Sequence, residues 1–487
     1  MAAERDAATV TAVTEPLAAW CAKVTAADAP EAVRAKVALL VLDGLGCGLF
    51  GSTLPWGRIA ADFAASTGTG AEATVWGTDR TVPVTAAPLA NGTFVHSFEF
   101  DDLHPKGVLH GAGQVVPAAL AVAELRARGP ADGVRPDWLP AGAVTSEELL
   151  AAITVGFEVG ARIGVVTGAT QLSRGFHPSP NTGTMSAAAA AGRLLGLDAD
   201  RMRDAIGIAG SFGGSLMAAQ YGAMVKRVHA GRASQAGVTG ALLAARGLTG
   251  IPDVVESPYG GFVHAYTGLP PGSADSVAAD LGEHWETLGF TFKAYPCCGS
   301  NHTSIDAYLS VLDEEPTLTP DRVEAIDVAC STLTYDHVGW PYEPTSVTAA
   351  QMNLQYTVAA LATDKVMTVD QFAAGRIADP DLLRLASRVH VTPDPAIDAL
   401  GREHRHLVRV EVRTTDGRRF RREVAEAKGR GDRPLSPDDV RVKYRDLAGR
   451  VLAPDTVTAL EDDVSALGTE KSDVAAITAA LSVPHGA

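Results

Sequence analysis

Residues 184–197 read TMSAAAAAGRLLGL. Alanines 187–191 cover more than one helical turn, so the helix predicted here is small on every side. Such a helix belongs at the centre of a bundle, where neighbours approach closely from several directions. Asn181 or Thr182 is placed to cap its start, and Gly196 to end it. Residues 211–247, SFGGSLMAAQYGAMVKRVHAGRASQAGVTGALLAARG, have the same texture. From Pro16 to about Trp285, apolar spacing near 3.6 recurs and stops at glycines, which predicts helices.

The texture changes after about residue 286. VEAIDVACS, RVHVTPD, LVRVEVRTTDG and RRFRREVAEA alternate in the manner of strands, and Asp416-Gly417 supplies a hairpin turn. SVTAAQMNLQYTVAALAT and TVDQFAAGRI read as helices between them. Capped helices resume at Ser436-Pro-Asp-Asp. The expected fold is mainly α: an all-helical domain over 1–285, a smaller α/β (α+β) domain over 286–435, and helices 436–487 that return to the first. The α/β part is then an insertion. Residues 129–146 read as a surface loop.

With 487 residues, 46% of them hydrophobic, the chain can bury two or three cores. It holds 41 basic and 57 acidic residues, a formal charge of −16, which argues against a nucleic-acid-binding protein. Five scattered cysteines form no disulfide framework and no zinc spacing. The N-terminal residues lack the basic-then-apolar order of a signal peptide, and VALLVLDGLGCGLF is interrupted by Asp43, so no membrane segment is expected. A cytoplasmic, reduced protein is the expectation. Residues 402–433 carry ten arginines and one lysine against six acids, and read as a solvated hairpin face rather than an anion-binding strip.

Five places can carry chemistry. NGTFVHSFEFDDLHPKGVLHGAG, from Asn91, gathers His96, Glu99, Asp101, Asp102, His104, Lys106 and His110, with His96 and Glu99 one turn apart if helical. The set matches no metal motif but suits acid–base work, the alternative being that the aspartates cap the next segment. RGFHPSPNTGT places His177 before a helix start bearing Thr182, where free N–H groups suit either a carboxylate or plain capping. VKRVHAGRASQAG aligns Lys226, His229 and Arg232 on one face with apolar flanks, an arrangement that calls for an anion. FKAYPCCGSNHTSIDA contains Cys297 and Cys298, read as small apolar residues with a nucleophilic thiol as the alternative, and His302. Tyr356, on an apolar helix, is a core residue or a proton donor.

Taken in order, LDGLGCGLFG, NGTFVHSFEFDD…LHGAG, GFEVGARIG, GFHPSPNTGT, VKRVHAGRASQAG, FKAYPCCGSNHTSIDA and NLQYTVAA resemble the MmgE/PrpD family, which includes a dehydratase, a decarboxylase and an epimerase of carboxylic acids. The resemblance implies a helical domain with an inserted α/β lid, a homodimer, and neither metal nor organic cofactor. It implies catalytic roles for Glu99, His110, His177, Lys226 and Tyr356, with Asp102, His104, Thr182, His229, Cys298 and His302 around the substrate. Leu103 and Cys298 stand where the decarboxylase pattern has threonine and histidine, which weighs against a decarboxylase. The expected function is a lyase, first a hydro-lyase, that removes a proton next to a carboxylate of a small di- or tricarboxylic acid. His110 or His177 would be the base and Glu99 its orienting partner. An epimerase is the second reading, and a non-catalytic carboxylate-binding protein the third.

Overall fold

The computed structural model describes residues 11–483. Helix Pro178–Leu194 lies at the centre, packed by Ala112–Arg128, Ser146–Ser173, Ala199–Gly210 and Val225–Ala245. Alanines 187–191 are all fully buried, as their size requires for helices to close in on every side. This helix starts earlier than the sequence predicts. His177 takes the N-cap position, and Asn181 and Thr182 are the fourth and fifth residues of the helix, so neither caps it. Gly196, at φ +65°, ends it as expected.

Ser146–Ser173 is the one described helix long and apolar enough to cross a bilayer, yet 89% of its apolar window is buried by the fold. It is a core helix. The predicted continuous helix over 211–247 begins only at Val225; before it runs an irregular segment with a short turn at Met217–Tyr221.

The four expected strands form one sheet in the order Val389–Pro393, Val323–Cys330, Val408–Thr414, Arg419–Val424. The first pair is parallel and the others antiparallel, with Gly417 at φ +86° in the hairpin turn. Helices His302–Glu314 and Leu354–Asp364 pack against it. The predicted helix over 346–363 is broken at Met352–Asn353, where the Asn353 side chain accepts from the Tyr356 amide at 3.0 Å and restarts the helix. TVDQFAAGRI forms only a single turn, Val369–Phe372.

The late helix Pro437–Ala448 opens on a capping box between Ser436 and Asp439 and packs on Glu31–Ser52. Its Lys443 pairs with buried Asp43 at 2.7 Å and donates to the carbonyls of Phe100 and Lys293. One ammonium thus ties both ends of the chain to two loops that reach the site.

Helix Val225–Ala245 sits close against Ala87–Val95 because glycines face each other. A Cβ on Gly231 would lie 2.0 Å from the Leu89 carbonyl oxygen, and one on Gly92 would lie 2.7 Å from the Gly231 Cα. This approach sets the start of the later helix beside the loop that follows the earlier one. Gly→Ala in a helix ordinarily gains up to about 1 kcal/mol of propensity. At Gly231 the overpacking outweighs that gain, so Gly231→Ala is expected to destabilise the fold by about 2–3 kcal/mol. Denaturant unfolding of the two proteins measures the difference.

Candidate active site

The loop from His96 to Gly111 leaves helix Ala87–Val95 before His96, so His96 and Glu99 do not share a helical face as the spacing had implied. Glu99 instead takes a left-handed conformation, φ +55°, which costs a non-glycine residue about 1–2 kcal/mol. Three cations offset that cost. The Glu99 carboxylate accepts from Lys226, from Arg227 at 2.7 Å and from Lys293 at 3.3 Å, and Lys293 also reaches the Glu99 carbonyl at 3.0 Å. All four side chains are buried. Burial alone would raise the Glu99 carboxyl, but the charges of Lys226, Lys293 and Arg227 outweigh it and hold the group well below the usual range. Burial lowers Lys226, with Glu99 opposing.

Gln351 joins the pieces. It accepts from Arg227 at 2.7 Å and donates to the carbonyls of Phe98 and Pro296, while its own carbonyl accepts from the Cys298 amide at 2.9 Å. A helix break at residue 352 and two loops are thereby locked to the cation cluster.

Beside the cations stand four imidazoles. His96 Nδ1 lies 2.8 Å from Asp101, and His110 Nδ1 lies 3.5 Å from the other oxygen of the same carboxylate. The rings of His96 and His177 are 5.6 Å apart, and His177 Nδ1 meets His229 Nδ1 at 3.0 Å. With both rings neutral, that contact forces opposite tautomers. Burial depresses His110 to about 3, His229 to about 4, and His177 well below its normal value, with nearby Lys226 adding to the last two. The carboxylate that orients an imidazole here is Asp101. Glu99 belongs to the cations, which corrects its expected role as partner of the base.

A narrow cavity of about 70 Å³ opens onto Glu99, Lys226, Lys293, His110 and His177. Its far wall carries Cys298, His337, Arg405, His406 and Arg430, and Leu103, Leu172, Met217 and Met352 supply apolar surface. A wider cavity of about 660 Å³ shares His406 and Arg430 with it and leads outward past His104 and Glu286.

Several expected residues lie elsewhere. Tyr356 is directed by its helix register to the Gln371 carbonyl, between Tyr342 and Phe372, and does not line the cavity. Asp102 caps helix Ala112–Arg128, accepting from the Gly111 and Ala112 amides at 2.8 and 3.0 Å. Thr182 is buried against Gln171. His302 contacts the Cys297 carbonyl at 3.3 Å and meets the Tyr295 ring edge to face. His104 accepts from the Gly107 amide and faces the wider cavity. His229 stands behind His177, and Arg232 points to Gln235 on the surface.

Sequence reasoning passed over Lys293, Arg227, His337 and Arg430. Lys293 had a signal, a lone cation in the apolar run around FKAYP; His337 had none. Most of the Arg-rich strip forms surface pairs such as Arg409–Glu423 at 2.7 Å and Arg419–Glu411 at 2.9 Å. Arg405, His406 and Arg430 leave that face for the cavity, which corrects the reading of the strip as wholly solvated.

His96, Asp101 and His110 offer one ligand atom each within 4.8 Å of one another. Metal–ligand bonds of about 2.0–2.2 Å can span that spacing, so the same three side chains that form an imidazole–carboxylate chain could also hold a cation.

Comparison with known proteins gives concordant results. Residues 15–272 match the MmgE/PrpD N-terminal domain and residues 295–467 the MmgE/PrpD C-terminal domain. The chain is 34% identical over 485 residues to the cis-aconitate decarboxylase-like protein oryM of Aspergillus oryzae, covering 96% of this chain and 97% of that protein. It is 31% identical over 486 residues to a cis-aconitate decarboxylase of Aspergillus terreus, covering 97% and 96%. It is also 31% identical over 456 residues to the human cis-aconitate decarboxylase, covering 91% and 89%.

A depressed imidazole leaves the unfolded chain binding more protons below the ordinary histidine range, so its contribution to stability falls as pH drops. For His229 the window runs from about 6.5 down to about 4. His229→Gln is expected to flatten the loss of stability across that window by up to one proton's worth of slope, read from urea midpoints at successive pH values.

Proposed function

The chain belongs to the MmgE/PrpD family and is a lyase of that family's type, and from that premise we propose that it decarboxylates a small unsaturated tricarboxylic acid of the cis-aconitate kind without a cofactor. The supporting observation is the cation cluster: Lys226, Arg227 and Lys293 surround one carboxylate, and Arg430 brings a fourth positive charge to the cavity. A buried excess of positive charge needs anions, and substrate carboxylates are the anions of suitable size. The relatives that bear the name cis-aconitate decarboxylase move the reading from loss of water to loss of carbon dioxide, despite Leu103 and Cys298.

The chemistry follows from the charge layout. Lys226 and Lys293 hold one substrate carboxylate and Arg430 a second. The third lies against Leu103 and Met352, where poor solvation disfavours its charge and favours departure as CO₂. The carbon–carbon bond breaks, and its electron pair moves across the adjacent double bond toward the carboxylate held by the lysines, whose charge stabilises it. A proton must then reach the remote carbon. Burial, with a part from Lys293, keeps His110 neutral. Substrate carboxylates offset that positive field, raise the imidazole and let it take up and deliver the proton, with Asp101 fixing the ring.

One observation favours dehydration as a second reading. A neutral His110 backed by a carboxylate is built as a base, and a base removes a proton beside a carboxylate so that water can leave. The two readings separate on products: ¹³C NMR of cis-aconitate incubated with the enzyme shows released CO₂ and a decarboxylated unsaturated diacid in the first case. A hydroxylated tricarboxylate, with no CO₂, indicates reversible hydration instead and overturns the proposal.

Lys226→Ala and Lys293→Ala are each expected to lower kcat by about 10²–10³. His110→Gln is expected to lower it by about 10²–10⁴. Steady-state kinetics on folded variants, checked by circular dichroism, gives the values; full activity of Lys293→Ala would remove the lysine from the mechanism.

A further inference from the structure

On the cavity wall opposite the lysines, the turn Cys298–Asn301 precedes helix His302–Glu314. The two adjacent cysteines differ. Cys297 is fully buried and its thiol is pushed up by burial, so it is inert. Cys298 presents its Sγ to the cavity, 3.9 Å from His337 Nδ1, and Ser300 Oγ meets the same nitrogen at 3.2 Å. Burial would raise the Cys298 thiol, but the His337 imidazole and the Ser300 amide outweigh it and bring the group down to about 6. Arg430 lies alongside: a Cβ on Gly299 would fall 2.1 Å from its Nη2. Among the described residues no carboxylate lies within ion-pair distance of that guanidinium, Glu426 acting on it only from further away, so this corner of the cavity keeps positive charge beside a thiol.

We propose that Cys298 and His337 form a reactive thiol–imidazole pair that captures electrophilic small carboxylates, in particular α,β-unsaturated acids, as covalent adducts in the substrate cavity. The inference rests on the reading of that cavity as a site for unsaturated acids. Sγ bonds to the β-carbon while the π pair of the double bond moves to the α-carbon. The imidazolium of His337 then returns to the α-carbon the proton it took from the thiol. The whole acid is retained, no oxidant is consumed, and the reverse elimination restores the thiol. A lyase whose substrate and product both contain a conjugated double bond would in this way slow itself as they accumulate.

The native full-length enzyme tests this with two alkylating reagents that differ in charge and with maleate as the unsaturated acid. Peptide mass mapping is expected to show Cys298 modified before the other four cysteines. Iodoacetate should be favoured over iodoacetamide by about tenfold or more, relative to their ratio on free cysteine, because the cavity concentrates anions. Saturating cis-aconitate should slow the reaction, and maleate should leave a mass increase of one whole acid on Cys298. His337→Asn should cut the iodoacetate rate at neutral pH about tenfold, with His337→Gln as the second variant if the first does not fold, and Cys298→Ser should abolish labelling. The proposal is overturned if iodoacetamide is equally effective, if another cysteine reacts first, or if maleate gives no adduct. Labelling without CO₂ release from any tricarboxylate would sink the decarboxylase reading and leave this one standing. Turnover without labelling would do the reverse.

Discussion

A single buried carboxylate holds the site together. Glu99 is almost wholly removed from water and touches Lys226, Arg227 and Lys293, which come from two distant parts of the chain. Each of these ions would be costly to bury alone, and removing one member of such a set typically costs about 3–5 kcal/mol. The left-handed backbone at Glu99 accompanies this triple contact, a local strain that the surrounding charges hold in place. The cluster is less an asset to stability than a constraint on geometry, since its ion pairs form only when the loop of Glu99, the helix start and the loop of Lys293 are all in place.

That constraint also sets the charge of the cavity. One carboxylate facing three cations leaves positive charge unspent on the side where Arg430 and the apolar wall stand. On the proposed reading, an incoming carboxylate competes with Glu99 for the lysines, and the imidazoles next to them respond to the change in field. Electrostatics set before the substrate arrives cost no reorganisation during the reaction. Burial and the same lysines lower His110 and His177, so their charge answers to the field that the cations set.

Supporting contacts lie outside the cavity. Gln351 links Arg227 to the backbone on both sides of the cleft, and Lys443 links Asp43 to the two loops that carry Glu99 and Lys293. Helix closeness matters as much. Gly92 and Gly231 let two helices approach until the N-terminal turn of one meets the loop leaving the other. Without that approach, Lys226 and Arg227 would stand too far from Glu99 to share it.

Much of the fold was legible in the residues themselves. The alanine run at 187–191 demands a central helix because nothing else fills close space on every side, and the alternation after residue 323 demands strands because side chains there point to opposite faces. The family was legible from ordered motifs, and with it Lys226, His110 and His177, which all reach the cavity. What local pattern could not supply was direction and distance. Tyr356 and His302 look as available in sequence as Lys226 does, but helix register turns the first toward Phe372 and the second toward Tyr295. Arg430 is one of ten arginines in a strip whose local pattern reads as solvated, His337 sits in a stretch with no distinguishing signal, and only the packing of the sheet hairpin and its neighbours against the helical core brings them to the same hollow. Sequence by itself determined the central helix, the four strands of the larger sheet and its hairpin turn, because those follow from short-range sterics and periodicity. Tertiary structure alone decided which charges neutralise one another, because burial and through-space distance between residues more than a hundred positions apart set that balance.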